Sequence, residues 1–222
     1  MPKQSIPTRI RKLIRFYVAQ RIVGFTVPDD PYLDHESSSQ FLSALRGCRF
    51  YLEYGSGGST VSAAKLGKRF ISVDTDRFYL EAVRQKIGTL SAEQHLLYAD
   101  IGLTGPFGTP FFKRATSRRV QRWTSYLEAP WRLVRDGDYP DMILIDGRFR
   151  IAAALMCCLH LARSPESRIW VDDSIPYGSY EDIQQYARLI AHVGRMTVFQ
   201  PNPAVSADAL KAGIAKHAKD WL

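Results

Sequence analysis

Cysteine is scarce in this chain: Cys48, Cys157 and Cys158 are the only three in 222 residues. An odd count, with two of the three adjacent in an apolar run, excludes a disulfide framework and offers no zinc-binding spacing. Long hydrophobic runs are missing as well. The longest, Ile151 to Ala162, is interrupted by His160 and falls well short of the roughly 20 residues a membrane-spanning helix needs, so a transmembrane protein is not expected. The histidines, His35, His95, His160, His192 and His217, show no ligand spacing, and there is neither an internal repeat nor a low-complexity tract. What remains, 45% hydrophobic and 23% charged residues with 12 Pro and 15 Gly, is the composition of one globular domain with room for an arm and an insertion.

Acidic residues are absent from positions 1–28, which hold Lys3, Arg9, Arg11, Lys12, Arg15 and Arg21. Positions 111–135 hold seven Lys or Arg against Glu128 alone. Each segment carries +6 against a net charge of +8, so a mildly acidic body bears two basic appendages. Residues 1–30 read as a basic arm, with Ile6, Ile10, Leu13, Ile14 and Tyr17 at helical spacing, and residues 31–222 as the domain proper. Val27-Pro28-Asp29-Asp30-Pro31 is expected to stop the helix and act as a hinge. The arm is expected to pack on the body or fray, or else to lie on an anionic surface such as a membrane or RNA, and its deletion is expected to leave the fold and any ligand site nearly intact. The expected address is the cytoplasm, free or peripheral to a membrane; an Arg-rich, acid-free start is also the pattern of an organelle transit peptide.

From Glu36 onward strand and helix signals alternate. Strands are predicted at Arg49–Glu53, Arg69–Val73, His95–Ala99, Asp141–Ile145, Arg168–Val171 and Met196–Gln200. Helices are predicted over Ser38–Leu45, Thr60–Leu66, Arg77–Ile87, Ile151–Ala162, Tyr180–His192 and Ala207–Lys219, the last capped by Ser206. Such alternation implies βαβ units: an α/β, doubly wound, mostly parallel sheet, here with a long irregular basic insertion after the third strand. That insertion, with Trp123, Tyr126 and Trp131 among its basic residues, reads as a lid or substrate wall, as packing, or as a nucleic-acid surface.

Glu53-Tyr54-Gly55-Ser56-Gly57-Gly58-Ser59-Thr60 follows a strand and opens a helix. Glycines there let the backbone turn sharply and approach a ligand, beside the free N–H groups of the next helix. A nicotinamide fingerprint would need glycine where Thr60 stands. The pattern acid-x-Gly-x-Gly resembles the first motif of the class I S-adenosylmethionine-dependent methyltransferases, with Ser59 at the position of the family's third glycine. The resemblance implies that Glu53, Gly55, Ser56, Gly57 and Ser59 belong to a cofactor site. It also implies that Asp74, closing the second strand, accepts hydrogen bonds from the ribose hydroxyls, and that Asp100 and Ile101 meet the adenine. Each acid also has a plainer reading as a helix cap.

Two further strands end in carboxylate: Asp146 after the fourth, Asp172 and Asp173 after the fifth. Neighbouring strands lie about 4.8 Å apart, so these acids would converge and repel unless protonated or sharing a cation such as Mg²⁺. The arrangement resembles the metal site of catechol-type and macrocin-type sugar O-methyltransferases, which implies Asp146, Asp172 and Asp173 as ligands and a small or glycan-type acceptor. Phe149 stands where the catechol-type enzymes place a lysine base. Without metal, the acids would bond to backbone or arginine. Asp146-Gly147-Arg148-Phe149-Arg150 resembles a segment of bacterial methyltransferase-like proteins that carry the same glycine loop. Its arginines suit forked contacts with an anionic substrate or the cofactor's carboxylate, so Asp146, Arg148 and Arg150 are the catalytic candidates. The alternative to an enzyme is a non-catalytic, polyanion-binding member of the same fold.

Overall fold

The computed structural model describes residues 11, 14–18, 24–174 and 180–221. Among the described residues seven strands form a single sheet: β1 (Phe50–Tyr54), β2 (Arg69–Asp74), β3 (Gln94–Tyr98), β4 (Met142–Ile145), β5 (Arg168–Val171), β6 (Ala187–Val193) and β7 (Met196–Pro201). Their order is β3-β2-β1-β4-β5-β7-β6. The first five are parallel, and β7 runs antiparallel to both β5 and β6. The chain winds outward through β2 and β3, then returns to lay β4 on the other side of β1. The crevice at this reversal, outside the carboxyl ends of β1 and β4, is where open α/β sheets hold ligands.

Among residues 24–174 and 180–221, the helices that cover the sheet are α1 (His35–Gly47), α2 (Gly58–Lys65), α3 (Arg77–Ile87), α4 (Ser117–Glu128), α5 (Arg150–His160) and α6 (Ala207–His217). Period-two alternation sorts each strand between two cores. Ile143 and Ile145 of β4 face the core shared with α4, α5 and α6, whereas Met142 and Leu144 face the one beneath α1, α2 and α3. Every residue of β1 is buried, as its central place requires. The three cysteines are free and buried, and no helix among the described residues is long and apolar enough to cross a membrane.

Three expectations are corrected. Residues 180–192 are not a helix: a short 3₁₀ turn at Glu181–Gln185 leads into edge strand β6. Gly194 and Arg195 separate the paired residues Val193 and Met196, and Gly194 has φ +55. A two-residue turn with glycine first is a hairpin signal, so a turn made this segment a strand where propensity suggested a helix. The basic insertion is not irregular throughout, because it contains α4. There Trp123, Tyr126 and Leu127 are buried while the arginines occupy the outer face.

The segment expected to hinge is instead docked. Val27 is in the core, and Asp29 pairs with Lys65 (2.8 Å) and Lys86 (3.0 Å). The carbonyl oxygen of Asp30 lies so near Gly58 that a Cβ there would be 2.0 Å from it. Gly58 is therefore needed for the crossing of the linker over α2.

Candidate functional site

A cavity of about 760 Å³ opens at the carboxyl ends of β1, β2 and β4. It is bordered by Gly55, Ser56, Gly57 and Ser59 from the glycine loop, by Asp74, and by Asp146, Arg148, Arg150 and Asp173. Nine sequence-predicted site residues therefore meet in one place, from four different strand ends.

Glu53 is not among them. It is fully buried, and its carboxylate accepts hydrogen bonds from the hydroxyls of Ser59 and Thr60 and from Ser72 (2.9 Å). Burial pushes its pKa up to about 7 against those three bonds. It ties the loop to β1 and β2 from below, while the loop itself faces the cavity. Gly55, at φ +95, sits against the β4 loop: a Cβ on it would lie 2.7 Å from the Gly147 nitrogen. Gly57 differs, because its φ of 173 is ordinary extended backbone and its Cβ would meet only the Tyr79 hydroxyl, at 3.5 Å.

Asp74 accepts from the Ser56 N–H (2.9 Å) and the Asp76 N–H (2.7 Å), one to each oxygen. Burial raises its pKa to about 6. Asp76 caps α3 by accepting from the N–H groups of Phe78 and Tyr79. Asp100 and Ile101 lie away from this cavity. Ile101 is in the core, and Asp100 borders a second cavity of about 320 Å³, where it accepts from the Gly102 N–H and faces Arg122 at 3.6 Å. Thr75 and Asp76 border both cavities, and loop 106–109 lies against Thr75, where a Cβ on Gly108 would be 2.3 Å from its hydroxyl. An adenine contact from Asp100 would have to reach around that loop.

The acids after β4 and β5 do converge: Asp146, Asp172 and Asp173 each offer an oxygen within 4.8 Å of the others. Two guanidiniums stand among them. Arg195 donates from Nε (2.8 Å) and Nη2 (2.6 Å) to the two oxygens of Asp172, a forked pair whose acid is wholly buried. Arg150, 5% exposed, donates to Asp146 (3.1 Å), to Asp173 (3.2 Å), and to the carbonyls of Gly147 (3.1 Å) and Asp172 (2.5 Å). The surrounding protein and the Asp172 charge raise the pKa of Asp146, whose side chain, 40% exposed, borders the cavity. Sequence reasoning foresaw the acids but not Arg195, which comes from the hairpin turn that follows the segment predicted as a helix.

Phe149 and Asp173 have positive φ, 59 and 52. At Phe149 the left-handed turn sends the ring into the core against Trp123 and Tyr126, while Arg148 and Arg150 stay on the cavity side. Tyr126, absent from the predicted site residues, borders the cavity from α4. The insertion is thus packing and wall together. The arm contributes too: Phe16, Phe25, Thr26 and Pro28 border the cavity, contrary to the expectation that deleting the arm would leave the ligand site intact.

No family model and no curated protein matches the chain. Among solved structures it is similar to a methyltransferase-like protein from Silicibacter pomeroyi DSS-3, with 26% identity and a TM-score of 0.72 over 87% of this chain and 100% of that one. More remote likenesses include an O-methyltransferase from Bacillus cereus in complex with S-adenosylhomocysteine (16% identity, 91% and 93% covered, TM-score 0.46). Another is a Podospora anserina methyltransferase bound to the same compound (11% identity, 91% and 98% covered, TM-score 0.45). Strand order and glycine loop, together with 26% identity over the whole of the Silicibacter protein, give this chain the methyltransferase Rossmann-like fold and support a class I methyltransferase-like family.

Proposed function

We propose that the chain binds S-adenosylmethionine in the main cavity and transfers its methyl group to an oxygen of a small or glycan-type acceptor. The observation that carries this reading is Gly57. Neither its backbone angle nor any neighbouring atom requires glycine there, yet a side chain would project into the cavity beside Tyr79. A residue kept bare toward an open cavity is suited to close approach by a ligand. Asp74, with one backbone N–H on each oxygen, keeps lone pairs for a pair of vicinal hydroxyls.

When bound, the cofactor supplies an electrophilic methyl carbon on a sulfonium; the new oxygen–carbon bond forms as the carbon–sulfur bond breaks and the sulfur keeps the electron pair. Asp146 is the group placed to accept the acceptor hydroxyl's proton, its raised pKa making it a better base than an ordinary carboxylate. Arg150 holds Asp146 and Asp173 in position and has no donor direction left for a substrate. A divalent cation does not fit the carboxylate cluster as it stands. Both Asp172 oxygens are occupied, and two guanidiniums sit where the ion's charge would be repelled. No step is therefore assigned to a metal.

Calorimetric titration with S-adenosylhomocysteine tests the reading. Saturable binding is expected for the wild type, its loss for Gly57→Val, and a drop of roughly tenfold or more for Asp74→Ala, which removes two charge-assisted hydrogen bonds. A flat titration of the folded wild type would remove the proposal.

A further inference from the structure

Arg148 has no part in the chemistry above. Among the described residues no carboxylate lies within ion-pairing distance of it, whereas Arg150 and Arg195 are each held by two acids. Its Nε is closed to solvent and, among the described residues, has no hydrogen-bond partner. Burial and the neighbouring Arg150 both lower its pKa, so the free site holds this cation at a disadvantage.

A second group beside it is in the same condition. Tyr126 is fully buried; the Arg148 backbone N–H faces its oxygen, but among the described residues its O–H has no acceptor. That hydroxyl occupies the space where a side chain on Gly147 would begin: a Cβ there would be 2.2 Å from it. Both Tyr126 and Arg148 border the cavity. A buried phenol O–H without an acceptor is rare, and so is a half-buried guanidinium without an acid. Two such donors, one neutral and one cationic, meeting at one end of a cavity call for an acceptor-only group with negative charge. A neutral hydroxyl would satisfy the phenol and leave the guanidinium uncompensated.

We infer that Arg148 and Tyr126 form a seat for an oxyanion, a carboxylate or phosphate carried by a molecule bound in the main cavity. The inference rests on the cofactor-and-acceptor reading of that cavity. Two molecules could bring the anion: the cofactor, through its amino-acid carboxylate, or the methyl acceptor.

The test uses the full chain as wild type, Arg148→Gln and Tyr126→Phe, at constant ionic strength. Three titrations are run: S-adenosylhomocysteine, 5′-methylthioadenosine, which lacks the amino-acid end, and inorganic phosphate added to protein saturated with S-adenosylhomocysteine. If the cofactor brings the anion, both variants weaken S-adenosylhomocysteine at least tenfold and leave 5′-methylthioadenosine unchanged. If the acceptor brings it, both nucleosides bind as before, and the phosphate binding seen with wild type is lost in Arg148→Gln and weakened in Tyr126→Phe. The ligand-free variants should melt no lower than wild type, because each removes an unsatisfied group. Unchanged binding of all three ligands in both variants overturns the seat, as does a lower melting temperature with unchanged binding, which would make Arg148 a packing residue. Should the wild type bind neither nucleoside, the cofactor reading fails separately, and phosphate titrated into the unloaded protein decides the seat by itself.

Discussion

Glu53 shows how a residue can be recognised from sequence and still be assigned the wrong task. Its place at the end of β1 marks the loop, but its carboxylate lies under that loop and organises Ser59, Thr60 and Ser72. Because its folded pKa, about 7, lies above the ordinary glutamate value of 4.5, its contribution to stability is complete below pH 4.5 and is lost as pH rises through 7. Glu53→Gln cannot ionise, so the fall in unfolding free energy between pH 5 and pH 8 should be smaller than in wild type by about 2 kcal/mol, read by urea denaturation at the two pH values. Equal pH slopes would show that Glu53 is not a buried acid with a raised pKa. Asp172 separates the ion-pair and metal readings of its cluster. Asp172→Asn removes the partner of Arg195 and should destabilise chelator-treated protein by about 3 kcal/mol. An acid held only to ligate a cation would be relieved of repulsion by the same change, and the metal-free protein would gain stability.

At the scale of elements, the hairpin β6–β7 and helix α1 are joined at one point. Asp34 caps α1 and accepts from the Arg195 N–H (3.1 Å), while the Ser37 hydroxyl donates to the Val193 carbonyl (2.8 Å). Gly194 fits between them: at φ +55, a Cβ on it would come within 2.2 Å of Asp34. Gly194→Ala combines left-handed strain with that clash and should lower stability by about 2 kcal/mol or more, measured by chemical denaturation. Arg195 leaves the same turn to reach Asp172, so the junction also supports the cavity floor. Little of this was legible beforehand. The parallel core could be read from apolar runs ending in acid, because a strand buried on both faces leaves that signature in the sequence. The contacts of Arg195 with Asp172, and of Tyr126 with Gly147, join residues 23 and 21 positions apart through tertiary packing, which periodicity does not encode. The helix assigned to 180–192 failed for a related reason. Leu189 and Ile190 are exposed on an edge strand that a bulge shifts in register, so the segment has no clean alternation.

For the whole molecule, the question is whether the basic arm is an appendage or part of the site. Its charge set it apart in the sequence, yet its apolar and aromatic residues join it to the body. Val27 lies in the core, Phe25 packs edge-on against Tyr79 at 5.1 Å, and the Tyr17 hydroxyl donates to the Thr104 carbonyl at 2.8 Å. Phe16, Phe25, Thr26 and Pro28 border the cavity, and Phe25 packs on the same Tyr79 that neighbours Gly57. Deleting residues 1–28 therefore exposes both the core around Val27 and one wall of the cavity. The truncated chain should bind S-adenosylhomocysteine at least tenfold more weakly and melt at a lower temperature. Phe25→Ala isolates the wall from the charge, since it leaves all six basic residues of the arm in place. It should reproduce most of the loss in affinity at low and high salt alike, because a contact made by burial is little affected by ionic strength. If instead the truncated protein binds as tightly as the full chain, and Phe25→Ala changes nothing, the arm does not close the cavity in solution and its basic face is the part that requires a partner.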